Sequence, residues 1–368
     1  MIKSRPEVFD AYWELAAERQ RIFYRRLHQM PSPWTEDEIL LKYRFCNAFR
    51  ASDRVSQYHI RRVVYGEHLS REPEDVIFRC LLFRFFNSIS TWELLERLYG
   101  DPRLSNFDVG RWYKDMDVGQ GLFNAAYMTC GVKVFGYDKK HGNYLALVKS
   151  MVDDGLVERI LGAADFAAVY GLLHPYKLVG KFLAYQIATD INSSDAVDFD
   201  DNTFTMAGPG AVRGINKVFA DTDGRSPEYL IQWMRARQEE EFNKRGVPEG
   251  IATLWGHRLQ AIDIQNMFCE TDKYSRVRFP GVGGEKQKKP KQSFRVAPGP
   301  VPAPFYPPKW GINEKSLTLP QVRLSRIPTK TCPGSWAKGD RHEALRTTSR
   351  RRREVLSRHR AQQVLSSQ

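Results

Sequence analysis

The residue spacing with the clearest chemical potential lies near residue 265. Asp263, Asn266 and Glu270 follow one another at intervals of three and four residues, and Lys273 comes three residues later. On an α-helix this spacing places all four side chains on one face. Two carboxylates beside a lysine can supply a general acid and a general base, or a positioned nucleophile. The same spacing also fits a solvated stripe of ion pairs, and both interpretations stay open.

A second polar group lies in residues 44–58, where arginine, asparagine and aspartate alternate with aromatic residues. Its candidates are Arg50, Asp53, Arg54 and Gln57, which stand where two expected helices meet. Free N–H groups at helix ends can hold phosphate, and arginines add positive charge. The segment is therefore a candidate nucleic-acid-binding site. The alternative is a set of salt bridges within and between helices.

Two glycine-containing turns precede expected helices and carry basic residues. Gly180 is followed by Lys181, and Gly208 and Gly210 are followed by Lys217. Glycine allows the backbone to approach a ligand closely, and the N–H groups of a helix start bind phosphate oxygens. Both turns are therefore candidate phosphate-binding sites. An ordinary helix–helix turn and tight helix packing explain the same residues without any ligand.

Several established motifs are absent from the sequence. It has no G-x-x-x-x-G-K-[ST], no H-E-x-x-H and no C-x-x-C among its five cysteines. These absences disfavour a P-loop kinase and a catalytic or structural zinc site, and we predict no cofactor. No apolar stretch reaches the roughly 18–20 residues of a membrane helix, and the first residues lack a secretory pattern. We expect an intracellular protein, nuclear in a eukaryote and cytoplasmic in a bacterium or virus.

The positive charge is concentrated at the C-terminal end. Residues 281–368 contain 19 of the 56 Lys and Arg but 5 of the 43 Asp and Glu, so residues 1–280 are nearly neutral. The same stretch holds ten of the twenty prolines, and we expect it to be extended and mobile. Its basic runs, at 286–291 and 350–360, are of a kind that attracts phosphate polyanions by counterion release, without reading sequence. There are two alternatives to this polyanion-binding role. One is a solvated tail that repels itself, and the other is a set of nuclear-import signals in a eukaryote.

Apolar spacing predicts helices over most of residues 1–280. Residues 76–86 are apolar almost all round and follow Pro73 and two acids, which predicts a central helix. Residues 132–135 give the best strand pattern, and it is short. The expected architecture is a mostly α domain at residues 1–280 and a disordered, proline-rich basic tail at residues 281–368.

Taken together, the motifs resemble one family over about residues 7–280. It is the helical domain named after phage 5-hydroxymethyluracil (5-hmdU) DNA kinases, earlier grouped as alpha-glutamyl/putrescinyl thymine pyrophosphorylases. The matching motifs are Pro33-Trp34-Thr35, Arg44-Phe45-x-Asn47, Arg50-x-x-Asp53-Arg54, Phe83-Arg84-Phe85-Phe86-Asn87, Gly180-x-Phe182-Leu183-Ala184-Tyr185-Gln186-x-x-x-Asp190, Ala207-Gly208-Pro209-Gly210-Ala211 and Asp263-x-Gln265-Asn266-x-x-Cys269-Glu270-x-Asp272-Lys273-Tyr274-x-Arg276.

The resemblance implies an all-α fold related to helix-hairpin-helix DNA glycosylases. It also implies thymine hypermodification, in which a 5-hydroxymethyluracil in DNA is activated by phosphate and then substituted by an amine or amino acid. The chain lacks the P-loop that some relatives carry in a fused domain, so a separate nucleotide kinase would act upstream. Leu178 stands where relatives tend to have a second hairpin glycine.

On this basis the candidate residues take the following roles. Asp263 or Asp190 would deprotonate an incoming amine or stabilise a cationic transition state, with Glu270 and Lys273 completing the catalytic set. The DNA-binding set is Arg50, Asp53, Arg54, Gln57, Gly180, Lys181, Gly208, Gly210, Lys217 and Arg276. Two other functions are compatible with the sequence. One is a DNA glycosylase acting on a modified pyrimidine, and the other is a non-catalytic DNA-binding module whose tail supplies most of the affinity.

Overall fold

A computed structural model gives the fold, and it describes residues 1–119, 121–124, 133–284, 288–296 and 299–317. The described residues are mainly helical. The helices of the first half are α1 (Pro6–Leu27), α2 (Glu38–Lys42), α3 (Arg54–Tyr58), α4 (Pro73–Phe86), α5 (Ile89–Tyr99), α6 (Val109–Asp115) and α7 (Lys140–Asp153). Those of the second half are α8 (Leu156–Leu161), α9 (Phe166–Leu173), α10 (Lys181–Asn192), α11 (Pro209–Val218), α12 (Pro227–Lys244), α13 (Glu249–Ala252), α14 (Ala261–Arg278) and α15 (Asn313–Leu317). Two short strands, β1 (Lys3–Ser4) and β2 (Phe219–Asp221), pair antiparallel.

Helix α4 is central, as its composition predicts. Pro73 occupies the first turn, and every residue from Val76 to Phe86 is buried. The helix ends at Asn87, which adopts a left-handed conformation with φ of +48°. Because α4 contacts α7, α8 and α10, its apolar surface is covered on several sides. No helix in the described ranges combines the length and apolar character needed to cross a membrane.

Helices α11 and α14 form the closest helix pair of the described chain, and glycine makes this possible. Gly210 and Gly214 are four residues apart and face α14. A Cβ at Gly210 would overlap the Cys269 sulfur, and one at Gly214 would overlap the backbone oxygen of Phe268. The two backbones can therefore approach only because these positions lack side chains. This contact fixes α14 along the centre of the molecule.

The expected strand at residues 132–135 is wrong where the structure describes it. Residues 133–135 form a bend, and position 132 lies outside the described residues. A strand needs a neighbour to satisfy its backbone groups, and no partner strand runs beside this stretch in the described part of the chain. The strands that do form are the terminal pair β1 and β2.

Two buried apolar clusters meet at the first turn of α14. One cluster surrounds α4 and α7 to α10, and it includes Ile262. The other surrounds α1, α11, α12 and α14, and it includes Ile264. Asp263 lies between these two residues, at the boundary of the clusters.

The expectation of a disordered segment from residue 281 onward is wrong for its described part. Residues 288–296 and 299–317 lie against the helical body: Phe294 N–H donates to the Lys42 carbonyl at 3.0 Å, and Tyr306 is fully buried. The prolines limit the entropy lost on ordering, and aromatic residues between them supply apolar area to bury. Residues 285–287, 297–298 and 318–368 lie outside the described residues, and these include the whole basic run at 350–360 but only the first two residues of the run at 286–291.

The turn before α10 has an unusual backbone conformation. Leu178 has φ of +66°, in the left-handed region that favours glycine. This is the position where the family resemblance leads one to expect glycine. The turn therefore keeps the glycine-type geometry despite its leucine. The relation to helix-hairpin-helix glycosylases stays a prediction.

Candidate active site

Asp263 lies in the first turn of α14 and is 4% exposed. Its Oδ1 accepts a hydrogen bond from the Arg50 N–H at 2.6 Å, and its Oδ2 accepts one from the Gln260 N–H at 3.0 Å. Burial raises the pKa of Asp263 to about 7, although both N–H groups favour the charged form. A carboxyl group with this pKa can gain or lose a proton near neutral pH.

Arg50 connects Asp263 to helix α10. Its guanidinium donates from Nη1 to Asp53 Oδ2 at 3.0 Å and from Nη2 to Gln186 Oε1 at 3.3 Å. Asp53 also accepts the Asn47 N–H at 2.8 Å. The Arg50–Asp53 pair is thus one of the salt bridges expected as the alternative for residues 44–58. The Arg50 side chain nevertheless keeps 25% of its surface exposed.

Asp190 lies on α10, four residues after Gln186. Both of its carboxylate oxygens accept hydrogen bonds from the buried guanidinium of Arg84. The His59 Nδ1 lies 3.9 Å from Asp190 Oδ1, and burial lowers the pKa of His59 to about 4. His59 is therefore neutral at neutral pH, and Asp190 is occupied by Arg84.

These side chains line one pocket. Its walls include Arg50, Asp190 and Asp263, with Pro307 and Trp310 from the C-terminal segment. The cavity volume of the pocket is about 50 Å³, and the pocket opens partly to solvent. This is smaller than the roughly 300–1,000 Å³ of typical small-ligand sites, so the pocket must widen to take a ligand the size of a nucleobase. Of the residues expected to converge on one pocket, Arg50, Asp190 and Asp263 line it, whereas Gly180 and Gly208 do not, and their part in the site stays a prediction.

A third carboxylate in the pocket, besides Asp263 and Asp190, belongs to Asp201. Burial raises its pKa to about 6, and the Asn192 side-chain amide donates to it. The negative charge of Asp201 also helps to raise the pKa of Asp263. Buried carboxyl groups whose pKa values are raised toward neutral are a common feature of acid–base sites.

Glu270 and Lys273 lie further along α14 and are not among the lining residues. Their charged groups pair at 2.6 Å, with Glu270 only 2% exposed. The Cys46 N–H donates to Glu270 Oε2 at 3.0 Å, and Lys273 Nζ donates to the Arg44 carbonyl at 3.4 Å. This pair attaches residues 44–46 to α14. The four-residue face expected on α14 is thus divided between the pocket and a structural contact.

Lys217 and Arg276 meet at a separate buried carboxylate. Lys217 Nζ lies 2.7 Å from Asp272 Oδ1, and Arg276 donates to the other oxygen. The Lys217 side chain is 3% exposed and Asp272 is 1% exposed. Lys217 is therefore enclosed by protein in this arrangement, and its role in DNA binding stays a prediction.

The glycine turns differ in accessibility. Gly180 and Lys181 are exposed, and a Cβ at Gly180 would meet nothing of the described chain within 4 Å. Gly208 is buried, and a Cβ there would lie 2.8 Å from the Phe182 ring, while Gly210 faces α14. Tight packing therefore accounts for both residues of the second turn, whereas the first turn is open to a ligand.

Arg54 and Gln57 also differ. Arg54 is exposed on α3. The Gln57 amide is occupied, because its Nε2 donates to the Phe305 carbonyl at 3.0 Å and its Oε1 accepts the Phe305 N–H at 2.8 Å. Gln57 thus holds the C-terminal segment that forms one wall of the pocket.

The site contains residues that we did not select from the sequence. They are His59, Arg84, Gln186, Asp201 and Trp310. A charge inside an apolar helix could have indicated Arg84, and the four-residue spacing to Asp190 could have indicated Gln186. His59, Asp201 and Trp310 gave no comparable signal. Across the described ranges, no three His, Cys, Asp or Glu side chains come together as a metal site.

Comparison with known proteins gives two matches. The family described as "5-hmdU DNA kinase, helical domain" matches residues 6–284. The "5-hmdU DNA kinase" of Bacillus phage SP10 is 24% identical over 323 residues, covering 80% of this chain and 50% of that protein. The chain thus spans about half the length of this curated relative. No solved structure matches the chain.

Proposed function

Because the chain belongs to the family of 5-hmdU DNA kinase helical domains, we propose that it acts in DNA hypermodification on a base derived from 5-hydroxymethyluracil. The relative from phage SP10 bears the name of a kinase for this DNA. Since this sequence has no P-loop motif, the proposed reaction follows phosphorylation. The substrate is then a phosphorylated 5-hydroxymethyluracil, and a separate kinase supplies it.

The observation that carries the proposal is the buried carboxyl of Asp263 in the pocket wall. With a pKa raised to about 7 by burial, this group is partly ionised at neutral pH and can accept a proton from an incoming ammonium group. Arg50, whose N–H contacts Asp263, keeps 25% of its side-chain surface exposed and can stabilise a departing phosphate.

The proposed step is a displacement at the exocyclic carbon of the base. The amine gives its proton to Asp263 and its nitrogen forms a bond to this carbon. The carbon–oxygen bond breaks, and its electron pair leaves with the phosphate or pyrophosphate. The base must first leave the DNA stack, at a cost of a few kcal/mol.

Asp263 suits this role better than the other predicted carboxylates. Both oxygens of Asp190 are held by the positively charged guanidinium of Arg84, whereas the two partners of Asp263 are neutral backbone N–H groups, so we assign Asp190 to positioning rather than proton transfer. Glu270 is paired with Lys273 outside the pocket. We propose that the exposed Gly180, Lys181 and Arg54 contact DNA phosphates, with additional non-specific attraction from the basic tail.

The test is mass spectrometry of nucleosides. Oligonucleotides carrying 5-hydroxymethyluracil, or its phosphate or pyrophosphate ester, are incubated with the full chain, ATP and a mixture of amines and amino acids. We expect loss of an ester and gain of an amine adduct, abolished by Asp263→Asn. The matched control is Asp153→Asn, which changes an exposed acid on α7 that pairs with Lys149 away from the pocket.

Three outcomes would contradict the proposal. An abasic site would indicate a glycosylase, and transfer of phosphate from ATP to 5-hydroxymethyluracil would indicate a kinase. DNA binding with no change in any of the three bases would indicate a binding module.

A further inference from the structure

Gln186 is a buried amide with an unused donor. Its side chain lines the pocket and the residue is 2% exposed. Its Oε1 accepts from Arg50 Nη2 at 3.3 Å, whereas its Nε2 has no hydrogen-bond partner among the described residues. The guanidinium can only donate, so it fixes which end of the amide faces Arg50. The Nε2 group is left to donate to something else.

His59 presents a second unused nitrogen in the same pocket. The residue is 2% exposed, and its Nε2 has no partner in the part of the chain that the structure describes. It begins a π-helical turn, His59–Val64, directly after α3, and its ring packs on Phe83 with centroids 5.2 Å apart. Single π turns in otherwise α-helical chains frequently occur at functional sites. Packing on Phe83 restricts the orientation of the ring.

The environment of His59 indicates which nitrogen carries the proton. Nδ1 faces the Asp190 carboxylate at 3.9 Å, and a carboxylate attracts an N–H group. A neutral ring protonated at Nδ1 has an acceptor at Nε2. The pocket therefore offers one amide donor, from Gln186, and one imidazole acceptor, from His59.

We infer that Gln186 and His59 recognise the base-pairing edge of the extruded base and select a uracil-type ring over a cytosine-type ring. A uracil ring presents a carbonyl oxygen, which accepts from Gln186, beside N3–H, which donates to His59. A cytosine ring carries an amino group at position 4 and no hydrogen on N3, so both of these contacts are lost. A buried donor left unpaired costs about 1–3 kcal/mol, equivalent to roughly tenfold to hundredfold in affinity.

This inference rests on the proposed function, since it specifies the base that the same pocket accepts. It distinguishes 5-hydroxymethyluracil from 5-hydroxymethylcytosine, two bases that share the same exocyclic group. The discrimination would therefore come from the ring edge and not from the reacting carbon.

Binding to single-stranded oligonucleotides, measured by fluorescence anisotropy, tests it. Each oligonucleotide carries one 5-hydroxymethyluracil or one 5-hydroxymethylcytosine, and the full chain is used. We expect about tenfold or greater preference for the uracil-type base, lost in Gln186→Met and in His59→Phe. Gln186→Glu, which replaces the donor by an acceptor, should shift the preference toward the amino group of the cytosine-type base.

Gln20 supplies the matched control. It is a buried amide on α1, 1% exposed, and it is not a lining residue of the pocket. Gln20→Met should leave the preference unchanged, and thermal melting confirms that each variant is folded. If folded Gln186→Met and Gln186→Glu keep the wild-type preference, the inference is wrong while the proposed function stands. If the wild-type chain binds both oligonucleotides equally, the inference is overturned, and the amine-adduct assay still decides the proposed function.

Discussion

Replacing Asp263 by asparagine should change how the stability of the protein depends on pH. In the folded chain burial raises the pKa of Asp263 to about 7, whereas its ordinary value is 3.8. At a pH between 3.8 and about 7, the Asp263 carboxyl is protonated in the folded state and ionised in the unfolded state. Stability from this group is therefore fully present below about pH 4 and is lost as the pH rises through about 7.

The expected size follows from the difference between the two pKa values. About three pH units, at about 1.4 kcal/mol each, correspond to about 4 kcal/mol of unfolding free energy. The side chain of asparagine does not ionise, so the Asp263→Asn variant lacks this loss. Relative to the wild type, the variant should gain about 4 kcal/mol between pH 4 and pH 8, whatever its stability at pH 4. Asp201 is present in both proteins, so most of its contribution cancels in the comparison.

Urea unfolding of both proteins at several pH values measures this difference directly. If the difference between the two unfolding free energies changes by less than about 1 kcal/mol from pH 4 to pH 8, Asp263 has an ordinary pKa and this prediction is wrong. The same pKa predicts a pH–rate profile. With Asp263 as the base, kcat/KM for the proposed displacement should rise with pH and level off above about pH 7.

Three further predictions, two of them with a control variant, test other parts of the structure. Lys217→Met should lower the unfolding free energy by about 3 kcal/mol in urea, because it removes one cationic partner of the buried Asp272 carboxylate. The control variant Lys149→Met breaks an exposed ion pair and should lower the unfolding free energy by less than about 1 kcal/mol. Gly214→Ala should cost about 3 kcal/mol or prevent folding, while Gly171→Ala, with open space at the Cβ position, should stabilise by about 0.5–1 kcal/mol in thermal melts. Trp310→Ala removes one wall of the pocket and should weaken binding of a 5-hydroxymethyluracil oligonucleotide about tenfold by anisotropy, with no change in the affinity for unmodified DNA.

Local sequence pattern was sufficient for the central helix and for the clearest acid, but not for the helix expected from Thr35 to Phe49, which forms only at Glu38–Lys42. Helix α4 follows from an apolar run after a proline, and Asp263 stands out as a carboxylate in an otherwise apolar turn. Position on a helix face was not sufficient to define the site. Glu270 lies seven residues from Asp263, or about 10 Å along the helix axis, where it contacts the Cys46 N–H and does not reach the pocket.

Tertiary packing decided the remaining residues of the site. Lys217 is a basic residue in a glycine-rich stretch, yet its charge is buried against Asp272 because α11 and α14 approach so closely. His59 and Asp201 reach the pocket only when separate parts of the chain come together. No spacing rule within a single segment contains that information.

The segment at residues 299–317 forms part of the pocket wall. The residues that match the family end at 284, but Pro307 and Trp310 contribute to the cavity wall, and Gln57 holds this segment through Phe305. A protein that shared only residues 6–284 could keep Asp263 and Arg50 and still have a differently shaped entrance. Which molecules reach the carboxylate is therefore decided partly by a stretch of chain that lies beyond the shared domain.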